Sequence, residues 1–239
     1  MKPKYVVLVI IVAVLASLTL RILIWKQRRQ DHRLPSVREL RKDIRADAEG
    51  GSEADLQKAL EVGKGISQKL ASYSEKTYGP LGKTTVEILA HESDDKKQHV
   101  LSALIWRIGQ KIEERGWDHL TDTERRLVAV QALEAEVYDG GFDQYFFNST
   151  GDDAEVALAG LKEMGSSASA PLLERAMAVF PGGKPPTDRQ KRWKVMDEIR
   201  SSSKPVWNKC DDEFYDSKEN LSELSLSYAK KNRAQIILP

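Results

Sequence analysis

The fold of this chain is decided by an aromatic-rich stretch between two glycine-containing turns, Val137-Tyr138-Asp139-Gly140-Gly141-Phe142-Asp143-Gln144-Tyr145-Phe146-Phe147-Asn148-Ser149-Thr150-Gly151. Gly140 and Gly141 can end the preceding helix, because glycine adopts the left-handed conformation that closes a helix. A short helical turn after them would place Phe142, Tyr145 and Phe146 on one side, since these residues follow the i, i+3, i+4 spacing. The stretch therefore predicts a sharp corner with an apolar inner face.

The end of this stretch has two interpretations. Asn148, Ser149 or Thr150 can turn the chain and cap the following helix, which makes the segment a structural corner where three helices meet. In the second interpretation, Gln144, Phe147 and Asn148 form a conformationally fixed docking surface for another protein. The residues themselves leave both interpretations open.

Helix signals lie on both sides of the corner. Residues 121–124 form a capping box that starts the helix leading into the glycine pair. Upstream, apolar residues recur at helical spacing between Leu101 and Ile112, and this face stops at Gly116. Further helices are predicted at residues 154–164, 172–180, 193–199, 208–215 and 221–233. Because strand-like alternation is hard to find outside the last few residues, we predict an all-α fold.

The N-terminus carries the longest apolar run. The segment 5–25 is 21 residues long and contains a single charged residue, Arg21. As a helix the run would be roughly 31 Å long, which matches a hydrocarbon core of about 30 Å. We predict a single transmembrane helix that contacts the lipid bilayer. The alternative is a secretory signal peptide cleaved after Ala16, where small residues occur at a suitable spacing.

Charges flanking the apolar run predict its orientation. The N-terminal side carries two basic residues, whereas the C-terminal side carries four, at Lys26, Arg28, Arg29 and Arg33. Under the positive-inside rule, the larger basic cluster faces the cytoplasm. We therefore expect a single-pass membrane protein whose C-terminal domain is cytoplasmic.

Composition shifts divide the rest of the chain. Residues 1–25 form the predicted anchor, residues 26–83 a charged connector and helical stalk, and residues 84–239 a compact multi-helix domain. The stalk helix is expected to end at the glycine- and proline-containing segment 78–82.

The charge balance argues against direct nucleic-acid binding. The chain has a formal net charge of +1, whereas general nucleic-acid binders present a strong positive field. The basic excess lies next to the apolar run, and residues 97–239 carry 20 Lys/Arg and 23 Asp/Glu, a balance of −3.

The residues contain no recognisable catalytic motif. Gly82-Lys83-Thr84 lacks the upstream glycine of a phosphate loop, so an ordinary loop after a helix is favoured. His91 and its acidic neighbours match no familiar metal-ligand spacing. Cys210 lies among acidic residues that raise a thiol pKa, so a small core residue is favoured over a nucleophile. We expect a protein that is not an enzyme and needs no cofactor or metal ion.

The corner resembles the DNA-mimic protein family, through the C-terminal domain that defines it. Members carry a glycine pair followed by Phe-x-Gln-Tyr-Phe-x-Asn-Ser, which corresponds to residues 140–149 here. The alanine-rich helix at 154–164, the Leu-Leu-Glu-x-Ala segment at 172–176, and the Phe-Tyr pair within 211–215 with Tyr228 are similar as well. Together these features cover about residues 98–232.

The resemblance implies an all-α domain without catalytic activity that can form a homodimer. It also implies binding to a DNA-binding protein by presenting carboxylates in place of phosphates. Literal mimicry would require five acidic residues to form one face: Asp152, Asp153, Asp211, Asp212 and Glu213. The leading functional prediction is a membrane-tethered module that binds an unidentified protein. The alternatives are a literal DNA mimic and an immunity-type inhibitor.

Overall fold

A computed structural model of the chain describes residue 69, residues 72–93 and residues 96–239. Residues Tyr78–Pro239 form one compact unit, and the helical residues 72–77 belong to a separate one. The predicted anchor at residues 5–25 and the connector up to residue 68 lie outside the described residues. Among the described residues, none of the helices has both the length and the apolar character needed to cross a bilayer.

The unit is built from α-helices joined by short loops and 3-10 turns, and the part of the chain that the structure describes contains no strand. The all-α prediction is confirmed. The helices are α1 (Thr85–Leu89), α2 (Lys97–Arg115), α3 (Asp122–Phe147), α4 (Ala154–Glu163), α5 (Ser169–Met177), α6 (Arg189–Glu198), α7 (Arg200–Asp216) and α8 (Leu221–Lys231).

The long helix α3 lies at the centre of the unit and contacts α2, α4, α6, α7 and α8. Its start is the predicted capping box, in which Thr121 accepts from the Glu124 backbone and Glu124 accepts from the Thr121 backbone. Its apolar face is buried, with Leu127, Leu133 and Val137 fully inaccessible to solvent. Burial of side chains of this kind stabilises the fold by roughly 1.5–3 kcal/mol each.

Helix α3 is bent at the glycine pair. Gly140 (φ −166°) and Gly141 (φ 74°) leave the helical conformation, and the helix resumes at Phe142. The predicted corner is confirmed. The left-handed φ at Gly141 strains any residue that carries a Cβ.

Helix α5 begins on a carboxylate from a distant part of the chain. Glu219 accepts hydrogen bonds from the backbone nitrogens of Ser167 (2.7 Å), Ala168 (3.0 Å) and Ser169 (3.0 Å), and from the Ser166 hydroxyl (2.7 Å). The first N–H groups of a helix have no partner within the helix. Glu219 accepts from most of them here, and the Ser166 hydroxyl accepts from the Ala170 backbone nitrogen at 3.0 Å.

The C-terminal residues after α8 pack back onto the unit. A 3-10 turn at Arg233–Gln235 leads into Ile236, which is buried, and Ile237, whose side chain is 59% exposed. The sequence did not predict this packing.

Candidate functional site

The inner face of the corner is a buried aromatic cluster. Phe142, Tyr145 and Phe146 are fully buried, as predicted. The Phe146 ring packs edge-to-face on Phe180, with 5.0 Å between centroids, and lies 5.4 Å from Trp207. These side chains fix the corner and are inaccessible to a partner.

Asp211 on α7 holds the start of the helical turn after the bend. Its Oδ1 accepts a hydrogen bond from the Phe142 backbone nitrogen at 2.8 Å. The carboxylate lies so close to Gly141 that a Cβ at that position would overlap it. Burial raises the pKa of Asp211 to about 6, with smaller contributions from the negative charges of Asp212 and Asp143.

The side chains of Gln144 and Asn148 form hydrogen bonds within the protein. Both donate to Glu136 Oε2, from Gln144 Nε2 at 2.8 Å and from Asn148 Nδ2 at 2.6 Å. Gln144 Nε2 also lies 2.9 Å from an Asp139 carboxylate oxygen. The prediction that Asn148, Ser149 or Thr150 caps the next helix is wrong, because α4 begins directly after Asp153 and the Asn148 side chain reaches back to α3.

Phe147 lies at the surface and stacks on a second aromatic side chain. Its ring stacks on Trp193 of α6 with 5.0 Å between centroids and 19° between planes, and each side chain is 36% exposed. The Trp193 indole nitrogen donates to the Phe147 carbonyl at 2.7 Å. Of the predicted docking residues in the corner, Phe147 is therefore the one whose side chain keeps substantial exposure.

A buried arginine neutralises the acidic residues at the end of the corner. Arg192 is fully buried and donates to the carbonyls of Phe146 (2.6 Å) and Asn148 (2.9 Å) and to the Asp152 carboxylate. Arg189 also pairs with Asp152 at 3.4 Å. Asp152 therefore serves mainly to hold arginines in place.

The remaining predicted acidic residues have different environments. Asp153 stands directly before α4 without a capping hydrogen bond, and burial, followed by the charge of Asp152, raises its pKa to about 6. Glu213 pairs with Arg175 at 2.7 Å. Asp212 is exposed. Asp211 and Asp152 hold opposite ends of the segment 142–152.

A surface that the sequence did not single out combines exposed tyrosines with carboxylates. Tyr138 on α3 and Tyr215 on α7 are 46% and 45% exposed, and their ring centroids lie 6.0 Å apart. Both rings flank the buried Phe214, and the Tyr215 hydroxyl donates to the Val137 carbonyl at 2.7 Å. The two tyrosines are thus fixed in place with one edge facing solvent.

Carboxylates surround this tyrosine pair. Burial raises the pKa of both tyrosines. The negative charge of Glu134 raises the pKa of Tyr138 further. At Tyr215, the further increase comes from the charges of Asp211, Asp139 and Asp212. We name the set Glu134, Tyr138, Asp143, Asp211, Asp212 and Tyr215 the acidic–aromatic surface.

The acidic–aromatic surface is not neutralised by neighbouring cations. In the part of the chain that the structure describes, no lysine or arginine forms an ion pair with its four carboxylates. The cation that Asp143 influences, Arg200, pairs with Asp197 at 2.8 Å. Burial raises the pKa of Glu134 to about 7, so its charge responds to pH near neutrality.

One signal in the sequence could have pointed to this surface. Glu134 and Tyr138 lie one helical turn apart, just before the glycine pair. Its α7 half could not be placed beside them from the sequence, because more than 70 residues separate Tyr138 from Asp211.

The other chemical candidates have structural explanations. Thr84 of the Gly82-Lys83-Thr84 segment caps α1 in a capping box with Glu87. Cys210 is buried as predicted, and burial is the main cause that raises the pKa of its thiol. Among the described residues, no group of three or more His, Cys, Asp or Glu side chains is arranged to hold a metal ion.

Comparison with known proteins identifies a matching family. A family model described as DMP19-like protein matches residues 118–232, from the turn before α3 to the end of α8. No curated protein and no solved structure matches the chain at a significant level. The matched range includes the whole acidic–aromatic surface and the whole corner.

Proposed function

We propose, on the premise that residues 118–232 belong to the DMP19-like family of DNA-mimic proteins, that this domain is a non-enzymatic module that binds a basic surface of another protein. The family membership supports a role in protein interaction.

The observation that carries the proposal is the cluster of unneutralised carboxylates around Tyr138 and Tyr215. A DNA-binding protein presents lysine and arginine side chains that are spaced to meet phosphates. Carboxylates form strong charge-assisted hydrogen bonds with the same side chains, and arginine also stacks on tyrosine rings. The acidic–aromatic surface offers both kinds of contact.

The paired acidic residues are poorer candidates for phosphate mimicry. Asp152 contacts Arg192 and Arg189, and Glu213 contacts Arg175. A carboxylate that is already paired must lose its cation before it can attract another. We therefore locate the binding surface on Asp143, Asp211 and Asp212, and not at the end of the corner. Glu134 adds its negative charge to this surface as the pH rises through about 7.

We further propose that residues 5–25 anchor the module in a membrane with its C-terminal domain in the cytoplasm. The support is the length of the apolar run and the four basic residues that follow it. A tether of this kind would hold the partner close to the membrane.

Crosslinking in membrane fractions tests the proposal. Full-length protein is crosslinked to its neighbours and recovered, and the bound proteins are identified by mass spectrometry. We expect a basic partner whose recovery falls steeply between about 50 and 200 mM salt, because ion pairing dominates such contacts.

The variants are matched in charge. The test variant carries Asp143→Lys and Asp212→Lys, which reverse the charge of two carboxylates on the acidic–aromatic surface. The control variant carries Glu155→Lys and Glu174→Lys, which make the same change in charge at residues that pair with Lys184 and Lys162, respectively. We expect only the first pair to lose the partner. Equal recovery with both pairs would refute the assignment of the surface.

A further inference from the structure

The C-terminal residues lie in a slot that contacts them mainly through their backbone. The Thr121 hydroxyl donates to the Gln235 carbonyl at 2.7 Å, and the Thr85 hydroxyl donates to the Ile236 carbonyl at 2.8 Å. The Thr123 hydroxyl donates to the Gln235 side-chain oxygen at 2.7 Å. Ile236 is 4% exposed, so its side chain is the apolar anchor of the segment.

A buried ion pair forms the floor of this slot. Lys111 on α2 and Glu124 on α3 are 4% and 0% exposed, and Lys111 Nζ lies 2.8 and 3.1 Å from the two carboxylate oxygens. Lys111 Nζ also donates to the Ile237 carbonyl at 2.8 Å, and the Ile237 backbone nitrogen donates to Glu124 Oε1 at 2.7 Å. The two charges thus bind both polar groups of one peptide residue.

The ion pair needs a peptide in this position. Burying two charges is unfavourable unless the remaining donors and lone pairs are satisfied. Without Ile237, one ammonium proton and one carboxylate lone pair would lose their partners. A peptide that supplies a C=O and an N–H at the same spacing would restore them, whatever chain it came from.

The slot extends beyond the family domain. Thr85 and Lys111 precede the matched residues 118–232, and residues 235–237 follow them. The slot is therefore formed where the matched domain meets the additional residues on either side, and it involves none of the residues of the acidic–aromatic surface.

We propose that the slot formed by Thr85, Lys111, Thr121, Thr123 and Glu124 is a peptide-recognition site, filled by the chain's own C-terminal segment 235–239 and open to the same segment of a second copy. Recognition through the backbone and one buried apolar side chain is typical of extended-peptide sites. A second copy presents an identical segment, so every contact made within one chain can be made between two chains.

Exchange between copies requires only the turn at residues 232–235 to open. A reciprocal exchange would give a closed, two-fold pair. The segment within one chain has a high effective concentration at the slot, so exchange is expected to increase with protein concentration.

The first experiment measures peptide binding directly. A full-length chain truncated after Ala234 is titrated with a fluorescent peptide of residues 232–239. We expect saturable binding that is at least about tenfold tighter than to the intact chain, whose slot is occupied. The same peptide with Ile236→Asp should not bind, and Thr85→Val in the truncated chain should weaken binding by roughly tenfold.

Equal binding to the intact and truncated chains, or no binding to a folded truncated chain, would overturn the proposal. If the truncated chain does not fold, the helical circular dichroism at 222 nm is measured with saturating peptide. Recovery of the helical signal supports the site, and no recovery overturns it.

The second experiment tests exchange between copies. A tagged chain truncated after Ala234 is mixed at high concentration with an untagged intact chain, and in the control with an untagged truncated chain. We expect only the intact chain to be retained and to be released by excess peptide of residues 232–239. Equal retention in both mixtures, or retention that the peptide does not reduce, would refute exchange through the slot.

Discussion

Replacing Glu219 with glutamine should destabilise the unit, because a distant carboxylate caps α5. Burial alone would raise the pKa of Glu219, but hydrogen bonds from Ser166, Ala168 and Ser169 lower it to about 2 from 4.5. A pKa shift of this size corresponds to at most about 3.4 kcal/mol of unfolding free energy, at about 1.36 kcal/mol per pKa unit. Since Glu219 is partly exposed, solvent screening reduces the expected effect to about 2 kcal/mol.

The effect has a defined pH dependence. A carboxyl whose pKa is lowered by folding stabilises the folded state above the unfolded pKa, and this contribution is lost as pH falls through the folded pKa. The difference between the wild type and Glu219→Gln should therefore be constant above about pH 5. It should shrink between pH 4.5 and 2, where the carboxyl becomes protonated.

Urea unfolding followed by circular dichroism at pH 7, 5 and 3 measures this difference. Glu174→Gln is the matched control on α5, because Glu174 forms an exposed ion pair with Lys162 at 2.8 Å. Such a pair contributes about 0.5 kcal/mol or less. If the two variants lose the same stability at pH 7, or if the loss in Glu219→Gln is unchanged at pH 3, the capping explanation is wrong.

Three other predictions concern the corner and the acidic–aromatic surface. Gly141→Ala should lower the free energy of unfolding by about 2 kcal/mol or more, measured by urea unfolding, because it combines a left-handed φ with overlap on Asp211; no loss would contradict the bend. Arg192→Leu should cost about 3 kcal/mol in the same assay, since it removes the donor to the buried Phe146 carbonyl and one of the two arginines that pair with Asp152. A loss below about 1 kcal/mol would refute this account. Asp211→Asn should match the wild type in stability at pH 4 and exceed it by about 1 kcal/mol at pH 8. The carboxyl pKa is 3.8 in the unfolded chain and about 6 in the folded one, so the stability of the wild type falls as the pH rises from 3.8 through 6, whereas the amide does not titrate. A wild type that is the more stable of the two at pH 8 would contradict the raised pKa.

Local signals allowed much of the helical architecture to be predicted. The capping box at Thr121 and Glu124, the end of a helix at Gly116 and the bend at the glycine pair depend on residues that are close in sequence. The same holds for the burial of Phe142, Tyr145 and Phe146, which follows from their spacing on one helical turn.

Pairing between distant residues could not be predicted in this way. Arg192 lies 40 residues from Asp152, and Glu219 lies about 50 residues from the start of α5 that it caps. Neither pairing leaves a periodic pattern in the sequence. The overall charge balance was also a poor guide, because it does not show which acidic residues are neutralised and which face solvent.

The contact between Asp211 and Phe142 restricts how partner recognition can change over evolution. Asp143 and Asp212 are exposed, so mutations there can adjust affinity for a cationic protein at little risk to folding. Asp211 contributes to the same surface but also accepts the backbone hydrogen bond that begins the turn after the bend. Selection for a new partner should therefore keep Gly141 together with a hydrogen-bond acceptor at position 211, aspartate or asparagine, while the two exposed aspartates diverge between lineages.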